Sequence, residues 1–470
     1  MHPPSQPTNP ESSRSSGTHL PLPRTGPPLS PLGYYRWLIC ALLLFATTVN
    51  YVDRQILALL KPILDAELGW TNEQFGFVNS AFQAAYGVGL LGFGWFIDRV
   101  GTKAGYAVSV LLWSLAAIGH ALVGSVTGFR WARISLGISE AGNWPAAVKA
   151  VAEWFPQKER AFATSLFNAG TMVGAIVAPA SVPYIAHRLG WRAAFVFGGV
   201  AGFIWLACWL LMYEAPERHR QISRAEFADL KRDSASSSQP GSQETAGPET
   251  GATREMSEPT LSWLHLLRYR QTWSFAIGKF MTDPVWWFYL IWLPDFFHKT
   301  QGLDLKRLGP PIVVIYSIAT VLSIAGARIG DLLIQRGWST VRSRKVCMLT
   351  FVLCELPILL QVKHCGLWGA VVWIGLAAGV HQAWAANLFT TVSDMFPKRA
   401  VASVIGLGGT AGCICGMVFP IFAGRLLDKF TLTGSINTGY AVLFAICGCA
   451  YLIAFVLNHL LAPRFERITF

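Results

Sequence analysis

The ionisable side chains inside otherwise apolar stretches of the sequence include two adjacent or closely spaced pairs, Asp53 with Arg54 and Arg133 with Glu140. An ionisable group in the apolar core of a membrane costs about 2.5–3.5 kcal/mol on insertion scales, so it is a functional candidate by default. Asp53 and Arg54 are adjacent and point about 100° apart around a helix, whereas Arg133 and Glu140 lie two turns apart on one face. Two acids and two bases carry no net formal charge, which a bilayer tolerates. The alternative is a purely structural charge network.

Coupled binding of an anion and a proton is the chemistry that these four residues can perform. A carboxylate beside an arginine normally stays ionised, because the positive charge favours its charged form. An anion that binds the arginine removes that support, and a partly desolvated Asp53 or Glu140 can then accept a proton. The sequence therefore predicts that anion and proton move together without a cofactor.

Polar and aromatic side chains elsewhere in the apolar stretches suit a hydroxylated ligand, which needs ring faces and hydroxyl partners. Lys279 and Asp283 are four residues apart, so we expect a local ion pair, with Lys279 as a second candidate contact for a carboxylate. For any single aromatic residue, packing against lipid or in the interfacial belt is an equal alternative. The candidate binding residues are Arg54, Tyr51, Tyr86, Asn168, Lys279, Trp286, Trp287, Tyr289, His381, Gln382, Trp384 and Asn387.

Membrane-spanning helices must position these residues, because the composition excludes an ordinary soluble protein. The 470 residues are 53% apolar and 14% charged, with a mean hydropathy of +0.41, whereas soluble proteins carry about 25% charged residues. A spanning helix needs about 20 predominantly apolar residues, and the short alternating segments of a β-barrel are missing. The twelve predicted spans, numbered 1 to 12 below, cover roughly residues 37–60, 76–97, 105–124, 129–150, 161–186, 193–213, 273–297, 309–330, 344–362, 367–391, 400–424 and 438–461.

Two polar segments divide the chain. Residues 1–33 contain nine prolines and several serines, and Ser234–Pro248 is too polar to build a core, so both predict disorder. The predicted organisation is a cytoplasmic tail at 1–33, a six-helix bundle at 34–213, a partly disordered cytoplasmic linker at 214–270, a second six-helix bundle at 271–462 and a cytoplasmic tail at 463–470.

The two predicted bundles also carry matching motifs at nearly constant offsets. Two pseudo-repeats of six helices around a central cavity are the layout of a secondary transporter whose site lies near the membrane midplane. The matched positions are 156 and 397, 179 and 420, both 241 residues apart, and 98 and 331, which are 233 apart.

The basic residues indicate topology rather than nucleic-acid binding. The net charge is +12, but no basic stripe interleaved with aromatic residues stands out, which disfavours a nucleic-acid partner. With the N-terminus in the cytoplasm, that side receives 24 of the 38 Lys and Arg and the opposite side 10; without the central linker the cytoplasmic number is 16. This excess predicts that both termini are cytoplasmic.

Other function classes lack support in the sequence. The nine cysteines lie almost all in apolar spans without a metal-binding spacing, so we expect free thiols and no metal or other cofactor. The chain has no HExxH, GxSxG or GxxxxGK[ST] motif, so a metalloprotease, a hydrolase and an ATP-driven pump are disfavoured and no enzyme is predicted.

The most specific local motif is Gly94–Lys103, GWFIDRVGTK, between spans 2 and 3. Its glycine permits close helix contact, and its acid–base cluster at the membrane surface can cap a neighbouring helix end and latch one conformation. A plain basic loop is the alternative. The partner Ala327–Asp331 is degenerate, so a second latch is not expected. The motif resembles the signature loop of the major facilitator superfamily, and its candidate gating residues are Gly94, Asp98, Arg99, Gly101 and Lys103.

Longer strings narrow the resemblance. Asn50–Arg54, the string GISEAGNWPAAVKAVAEWFPQKERA and the string TDPVWWFYLIWLP look like the anion:cation symporter branch of that superfamily, and most like bacterial hexuronate transporters. The similarity covers residues 34–470 apart from the central linker. It implies that Arg54 contacts a substrate carboxylate, that Asp53 and Glu140 carry the proton, and that Arg133 is their charge partner.

The resemblance implies an all-α membrane protein of the major facilitator fold that imports a small sugar acid, such as galacturonate or glucuronate, together with protons. Its partners would be the anionic substrate, protons and the lipid bilayer, and the protein would be a monomer in the inner (plasma) membrane. The alternatives are symport of another organic anion, such as an aldonate or an aromatic carboxylate, and a non-transporting solute receptor. A receptor should carry a folded signalling domain, for which the linker at 214–270 looks too disordered.

Overall fold

The computed structural model describes residues 33–216, 263–358 and 366–468, and within these ranges the chain is helical without a β-strand. Nearly all of the predicted tail at 1–33 and most of the predicted linker at 214–270 lie outside the described residues.

The first half contains six spans built from eight helices. Span 4 is split after Glu140, and span 5 is split at Ala169. Pro145 lies in the first turn of the second helix of span 4, where its missing N–H has no partner to lose. The helices are Gly33–Leu68, Asn72–Val100, Thr102–Leu122, Val126–Glu140 with Asn143–Trp154, Gln157–Asn168 with Gly170–Leu189, and Trp191–Met212.

The second half begins with a short helix, Trp263–Leu266, and continues with six more spans. Each of the twelve predicted spans therefore overlaps a helical segment of the described residues, and the fold prediction is confirmed. The span helices of this half are Arg270–Gln301, Leu305–Gln335, Thr340–Glu355, Leu367–Met395, Lys398–Leu432 and Ile436–Leu461.

Among the described residues, nine helices are long and apolar enough to cross a membrane, and spans 4, 7 and 9 are not among them. Span 4 contains Arg133 and Glu140, and span 7 contains Lys279, Asp283 and Asp295. The helix of span 9 ends at residue 355, close to the undescribed segment 359–365. Span 4 is not among these nine because its break leaves helices of 15 and 12 residues, whereas span 7 loses apolar character through charged residues that face the interior of the protein.

The two halves are related by a structural repeat. Gly76 in span 2 packs against the carbonyl oxygen of Pro420 in span 11, and Gly309 in span 8 packs against that of Pro179 in span 5. The glycines are 233 positions apart and the prolines 241, the same offsets that the sequence motifs show. A methyl group at either glycine would collide with the opposing backbone. These equivalent contacts join the halves along two seams.

The described part of the predicted C-terminal tail packs against the second half. The Ile468 backbone N–H donates to the Met395 carbonyl at 2.8 Å, and Phe465 and Ile468 are each 7% exposed. Lys345 Nζ donates to the Ala462 carbonyl at 2.8 Å. The segment 463–468 is therefore tied to the end of span 10 and the start of span 9.

Candidate functional site

Arg54 in span 1 lies at the centre of the candidate site. Its Nε donates to Oε2 of Glu140 in span 4 at 2.8 Å, and the two side chains are 8% and 0% exposed. Because the first helix of span 4 ends at Glu140, the carboxylate lies at the break in this span. Four aromatic rings surround the guanidinium, with centroids 4.5–5.8 Å from it: Tyr51, Phe82, Tyr86 and Trp287. Trp287 belongs to the second half, so Arg54 lies at the interface.

The other two predicted charges lie deeper in the first half. Asp53 is 2% exposed, and neither carboxylate oxygen has a hydrogen-bond partner among the described residues. One of these oxygens lies against Gly198 of span 6. Arg133 is 1% exposed and donates through Nη2 to the backbone carbonyl of Arg54 at 3.3 Å.

In the described part of the chain Glu140 pairs with Arg54, and Arg133, the implied charge partner of both acids, forms no ion pair with Glu140 within 4.0 Å. The reason is geometric. Arg133 and Glu140 are two turns apart on one helix, about 10 Å along its axis, whereas the Arg54 side chain reaches Glu140 across the helix interface.

Several predicted binding residues lie in the interior of the second half. The ring of Trp286 stacks on His381 with centroids 5.4 Å apart, and His381 Nδ1 is 2.5 Å from the Tyr451 hydroxyl. Tyr289 donates to Oε1 of Glu355 at 2.9 Å, so Glu355 has a partner that the sequence did not indicate. Trp286, Tyr289, His381 and Trp384 are 0–6% exposed. Trp286 also contacts Tyr51 of the Arg54 site, so this cluster adjoins the aromatic ring around Arg54.

Lys279 and Asp283 form the expected ion pair at 2.8 Å. Asp283 packs against Gly412 of span 11, and Lys279 Nζ lies 4.7 Å from the ring of Phe389.

The remaining candidate binding residues lie at separate places in the fold. Asn168 is exposed at the break in span 5, and Gln382 is half-buried. Asn387 donates to the Ala383 carbonyl at 3.0 Å and accepts from Arg344 at 3.5 Å.

A cavity of about 20 Å³ lies beside Arg54 between spans 1, 2, 4 and 7, which is room for about one water molecule. Gln55 and Gln83 are 2% and 3% exposed, and their amide nitrogens have no hydrogen-bond partner among the described residues. The sequence reasoning did not single them out, although Gln83 lies one turn before Tyr86 on the same helix face. The cavity lining is Arg54, Gln55, Asn79, Phe82, Gln83, Arg133, Trp287, Leu290 and Ile291.

A buried ion-pair network joins the halves on one side of this cavity. Lys61 Nζ is 3.0 Å from Asp295 Oδ1, and Lys299 Nζ is 3.1 Å from Asp295 Oδ2. Tyr440 donates to the same carboxylate, and Lys61 and Asp295 are 1% and 0% exposed. Sequence reasoning missed Lys61, which lies one residue beyond the predicted span 1. Asp295 lies inside predicted span 7, and its charge there is the sequence feature that could have indicated this network.

Span 11 closes the same end by capping span 2. The carboxylate of Asp428 accepts the backbone N–H of Asn72 at 2.9 Å and of Glu73 at 2.8 Å, at a helix N-terminus that favours negative charge. Arg425 pairs with Glu73 at 2.6 Å. The end of the molecule that carries the loops at 69–71 and 302–304 is thus closed; we call it the closed end.

The predicted gating loop lies at the opposite end of span 2 and is held within the first half. Asp98 pairs with Lys149 of span 4 at 2.8 Å, and Lys149 also donates to the Ile97 carbonyl at 3.1 Å. Lys149, which lies outside the motif, therefore caps the end of span 2, whereas the motif predicted that its own charged cluster caps a neighbouring helix. The close helix contact expected at Gly94 is not formed, since no described atom outside its helix lies within 4 Å of a Cβ placed there.

The rest of the loop has local roles. Arg99 lies over the ring of Trp95 at 4.2 Å, and the Lys103 carbonyl accepts the indole N–H of Trp209 at 3.1 Å. Gly101, in the turn between spans 2 and 3, has φ +86°, a backbone conformation that favours glycine. The side chain of Asp331 is outside the described part.

The described cysteines are free, and Cys365 lies outside the described residues. Within the described ranges no group of three or more His, Cys, Asp or Glu side chains is arranged to hold a metal ion.

The chain was compared with protein families, curated proteins and solved structures. Residues 43–420 match the model of the Major Facilitator Superfamily. The chain is 31% identical over 414 residues to a hexuronate transporter of Escherichia coli (strain K12), covering 87% of this chain and 90% of that protein. It is 33% identical over 274 residues to a galacturonate transporter of Dickeya chrysanthemi, covering 58% of this chain and 75% of that one. Among solved structures, an inward-facing bacterial homolog of the human lysosomal transporter Spinster superposes with a TM-score of 0.70 at 16% identity, covering 91% and 98% of the two chains.

Proposed function

The chain belongs to the Major Facilitator Superfamily, and we propose that it is a proton-coupled symporter of a small sugar acid, a hexuronate such as galacturonate or glucuronate. Its curated relatives are named as transporters of such acids, and it is a transporter rather than an enzyme. The excess of Lys and Arg on one side supports a plasma-membrane location with both termini in the cytoplasm.

The observation that carries the proposal is the Arg54–Glu140 ion pair inside a ring of aromatic side chains. A guanidinium presents a planar fork that binds a carboxylate through two hydrogen bonds. The rings of Tyr51, Tyr86 and Trp287 offer flat apolar faces beside that fork. This arrangement suits a ligand with one carboxylate and a sugar ring.

Coupling to protons follows from competition for Arg54. A substrate carboxylate that takes Arg54 leaves the 0% exposed carboxylate of Glu140 without its ion-pair partner. An unpaired buried charge is costly, and binding a proton removes the charge. Asp53 is the second candidate proton carrier, because both of its oxygens are buried without a hydrogen-bond partner in the described part.

Alternating access requires the closed end to open. The cavity of about 20 Å³ is far smaller than a sugar acid, so substrate entry must separate the halves around Arg54. Rocking of one half against the other would break the Lys61–Asp295 pair and release the backbone of span 2 from Asp428. We propose that these contacts form and break in each transport cycle.

The test is uptake of labelled substrates by the purified full chain in proteoliposomes with an inwardly directed proton gradient. We expect saturable uptake of galacturonate or glucuronate, and we expect that neutral galactose does not inhibit this uptake. Galactose uptake at a similar rate would overturn the role of Arg54. A preference for aldonates or aromatic carboxylates would favour another anion as the substrate, and binding without uptake would favour a receptor.

A further inference from the structure

A groove of about 700 Å³ lies at the closed end, on the seam where span 5 of the first half meets span 8 of the second. It is separate from the Arg54 site, and the proposed function uses none of its residues. The lining residues are Pro179, Ala180, Pro183, Tyr184, His187 and Arg188 from span 5, and Lys306, Gly309, Pro310 and Val313 from span 8.

The mouth of the groove is basic. His187 and Arg188 lie in the last turn of span 5, Lys306 lies in the first turn of span 8, and all three are exposed. None of the three forms an ion pair within 4.0 Å in the described ranges; of the acidic residues at this end, Glu67 pairs with Arg192 and Asp65 with Lys299. The nearby carboxylate of Asp304 is engaged as the N-cap of span 8, accepting the Arg307 N–H at 3.1 Å. The charges of Arg188 and Lys306, with the His187 imidazole beside them, therefore line the groove without an ion-pair partner within 4.0 Å in the described ranges.

The wall of the groove is apolar. Pro179, Pro183 and Val313 line it toward the middle of the spans, and Tyr184 stands beside the basic mouth with its ring 5.8 Å from the Arg188 guanidinium. Positive charge at the ends of the spans and an apolar wall below suit a ligand with an anionic head and a hydrocarbon tail. A soluble anion would leave the apolar wall uncovered.

We propose that this groove binds an anionic phospholipid. The phosphate is held between His187 and Arg188 of the first half and Lys306 of the second, and an acyl chain runs along Pro179 and Pro183. Because the charges come from both halves, the bound lipid bridges the seam.

Bridging favours one conformation. Gly309 packs against the Pro179 carbonyl at the floor of the groove, and this contact requires the two halves to be together at this end. Anionic lipid therefore stabilises the state in which the end is closed. This effect does not depend on which substrate the protein carries.

The test compares the wild-type chain with the double variant Arg188→Gln/Lys306→Gln, purified in neutral detergent. Native mass spectrometry measures retained lipid, and thermal unfolding is followed with added phosphatidylglycerol or phosphatidylcholine. The wild-type protein should retain phosphatidylglycerol in preference to phosphatidylcholine, and only phosphatidylglycerol should raise its thermal stability. The double variant should bind it at least about tenfold more weakly, since two of the three phosphate contacts are lost. The matched control is Arg130→Gln. Arg130 is an exposed basic residue of span 4 at the same end of the molecule as the groove, but it does not line the groove.

Equal retention of phosphatidylglycerol by the wild type and the double variant would overturn the proposal, as would equal stabilisation by phosphatidylcholine. Glycerol 1-phosphate alone distinguishes the source of the anion: stabilisation equal to that by the whole lipid would assign the groove to a soluble anion and overturn the lipid site. If the double variant does not fold, the single variants Arg188→Gln and Lys306→Gln decide by the same measurements.

Discussion

At the residue scale, Arg54 is held by interactions that a lysine does not reproduce. It combines an ion pair to Glu140 with four surrounding rings, and only a guanidinium offers a planar fork to a carboxylate. We expect Arg54→Lys to lower kcat/KM for sugar-acid uptake by at least about 100-fold, which is about 2.7 kcal/mol. The measurement is initial uptake in proteoliposomes, with size-exclusion chromatography to show that the variant is folded.

The matched control is Arg192→Lys, an exposed arginine that pairs with Glu67 at 3.2 Å. Exposed ion pairs contribute little, so this variant should transport like the wild type. Near-normal uptake by Arg54→Lys would remove Arg54 from the binding role.

Gln83 offers a second test at this scale. Its amide nitrogen borders the cavity beside Arg54 without a hydrogen-bond partner in the described part, so it is available to a substrate hydroxyl. Loss of one such hydrogen bond costs about 0.5–1.5 kcal/mol, and Gln83→Leu should therefore raise KM for the sugar acid about 2- to 12-fold with little change in kcat. Gln335→Leu, at an exposed helix end, serves as the control. An unchanged KM in Gln83→Leu would show that the amide does not touch the substrate.

The sequence identified the charged residues of the site but not their pairing. Asp53, Arg54, Arg133 and Glu140 were recognisable because each charge interrupts an apolar span. The resemblance implied that Arg133 is the charge partner of Asp53 and Glu140, whereas the hydrogen-bonded pair is Arg54–Glu140, across 86 residues. Contacts between helices depend on how the spans pack, and the spacing of residues within one span does not determine that packing. The Lys61–Asp295 ion pair was not predicted from the sequence for the same reason.

At the element scale, the contact between spans 2 and 11 depends on Gly76. A methyl group there would collide with the Pro420 backbone, whereas the space beside Gly92 in the same helix is open. Gly76→Ala should therefore weaken the closed end, and Gly92→Ala should not. The readout is hydrogen–deuterium exchange of the Asn72 and Glu73 amides, which are protected by Asp428. We expect their exchange to accelerate at least about tenfold in Gly76→Ala, since exchange reports local opening.

Unchanged exchange of these two amides in a folded Gly76→Ala protein would show that the seam tolerates the added methyl group. It would also show that the contact between spans 2 and 11 does not set the closure of this end.

The loop between spans 2 and 3 supports a prediction about rate. Asp98 holds Lys149, which caps the end of span 2 at Ile97, and the loop is at the end of the molecule opposite the closed one. Asp98→Asn should lower the maximal rate of uptake several-fold, by about 1 kcal/mol in the barrier, with little effect on KM. Uptake kinetics over a range of substrate concentrations provide the measurement. A large rise in KM at an unchanged maximal rate would contradict a conformational role.

The helical spans were predictable because each must satisfy its backbone internally and present an apolar surface to lipid. The apolar runs of the sequence located all twelve, although the described helices of spans 4, 7 and 9 fall short in length or hydropathy, and these runs did not show the breaks after Glu140 and at Ala169. These interruptions involve one or two residues, which a window of about 20 residues averages away. The helix ends also extend beyond the windows, because polar caps such as Thr71 and Asp304 lie outside the apolar stretch.

At the scale of the whole molecule, two related halves meet along equivalent seams, and the site charges lie between them. The repeat was visible in the sequence because the prolines and acidic residues recur at fixed offsets. The conformational state was not visible, since closure depends on contacts between residues hundreds of positions apart, such as Asn72 with Asp428. The structure shows the halves joined at the closed end and the Arg54 cavity contracted.

Proton coupling through Glu140 is tested most directly by two assays on Glu140→Gln in proteoliposomes. Glutamine mimics the proton-loaded, neutral side chain but cannot release a proton, so the variant should exchange substrate yet fail to use a pH gradient. We predict that pH-driven accumulation of galacturonate or glucuronate falls at least about tenfold relative to wild type, while counterflow stays within about threefold. Asp53→Asn, measured in parallel, shows whether the second acid shares the role. Full pH-driven accumulation by both variants would contradict coupling through these carboxylates.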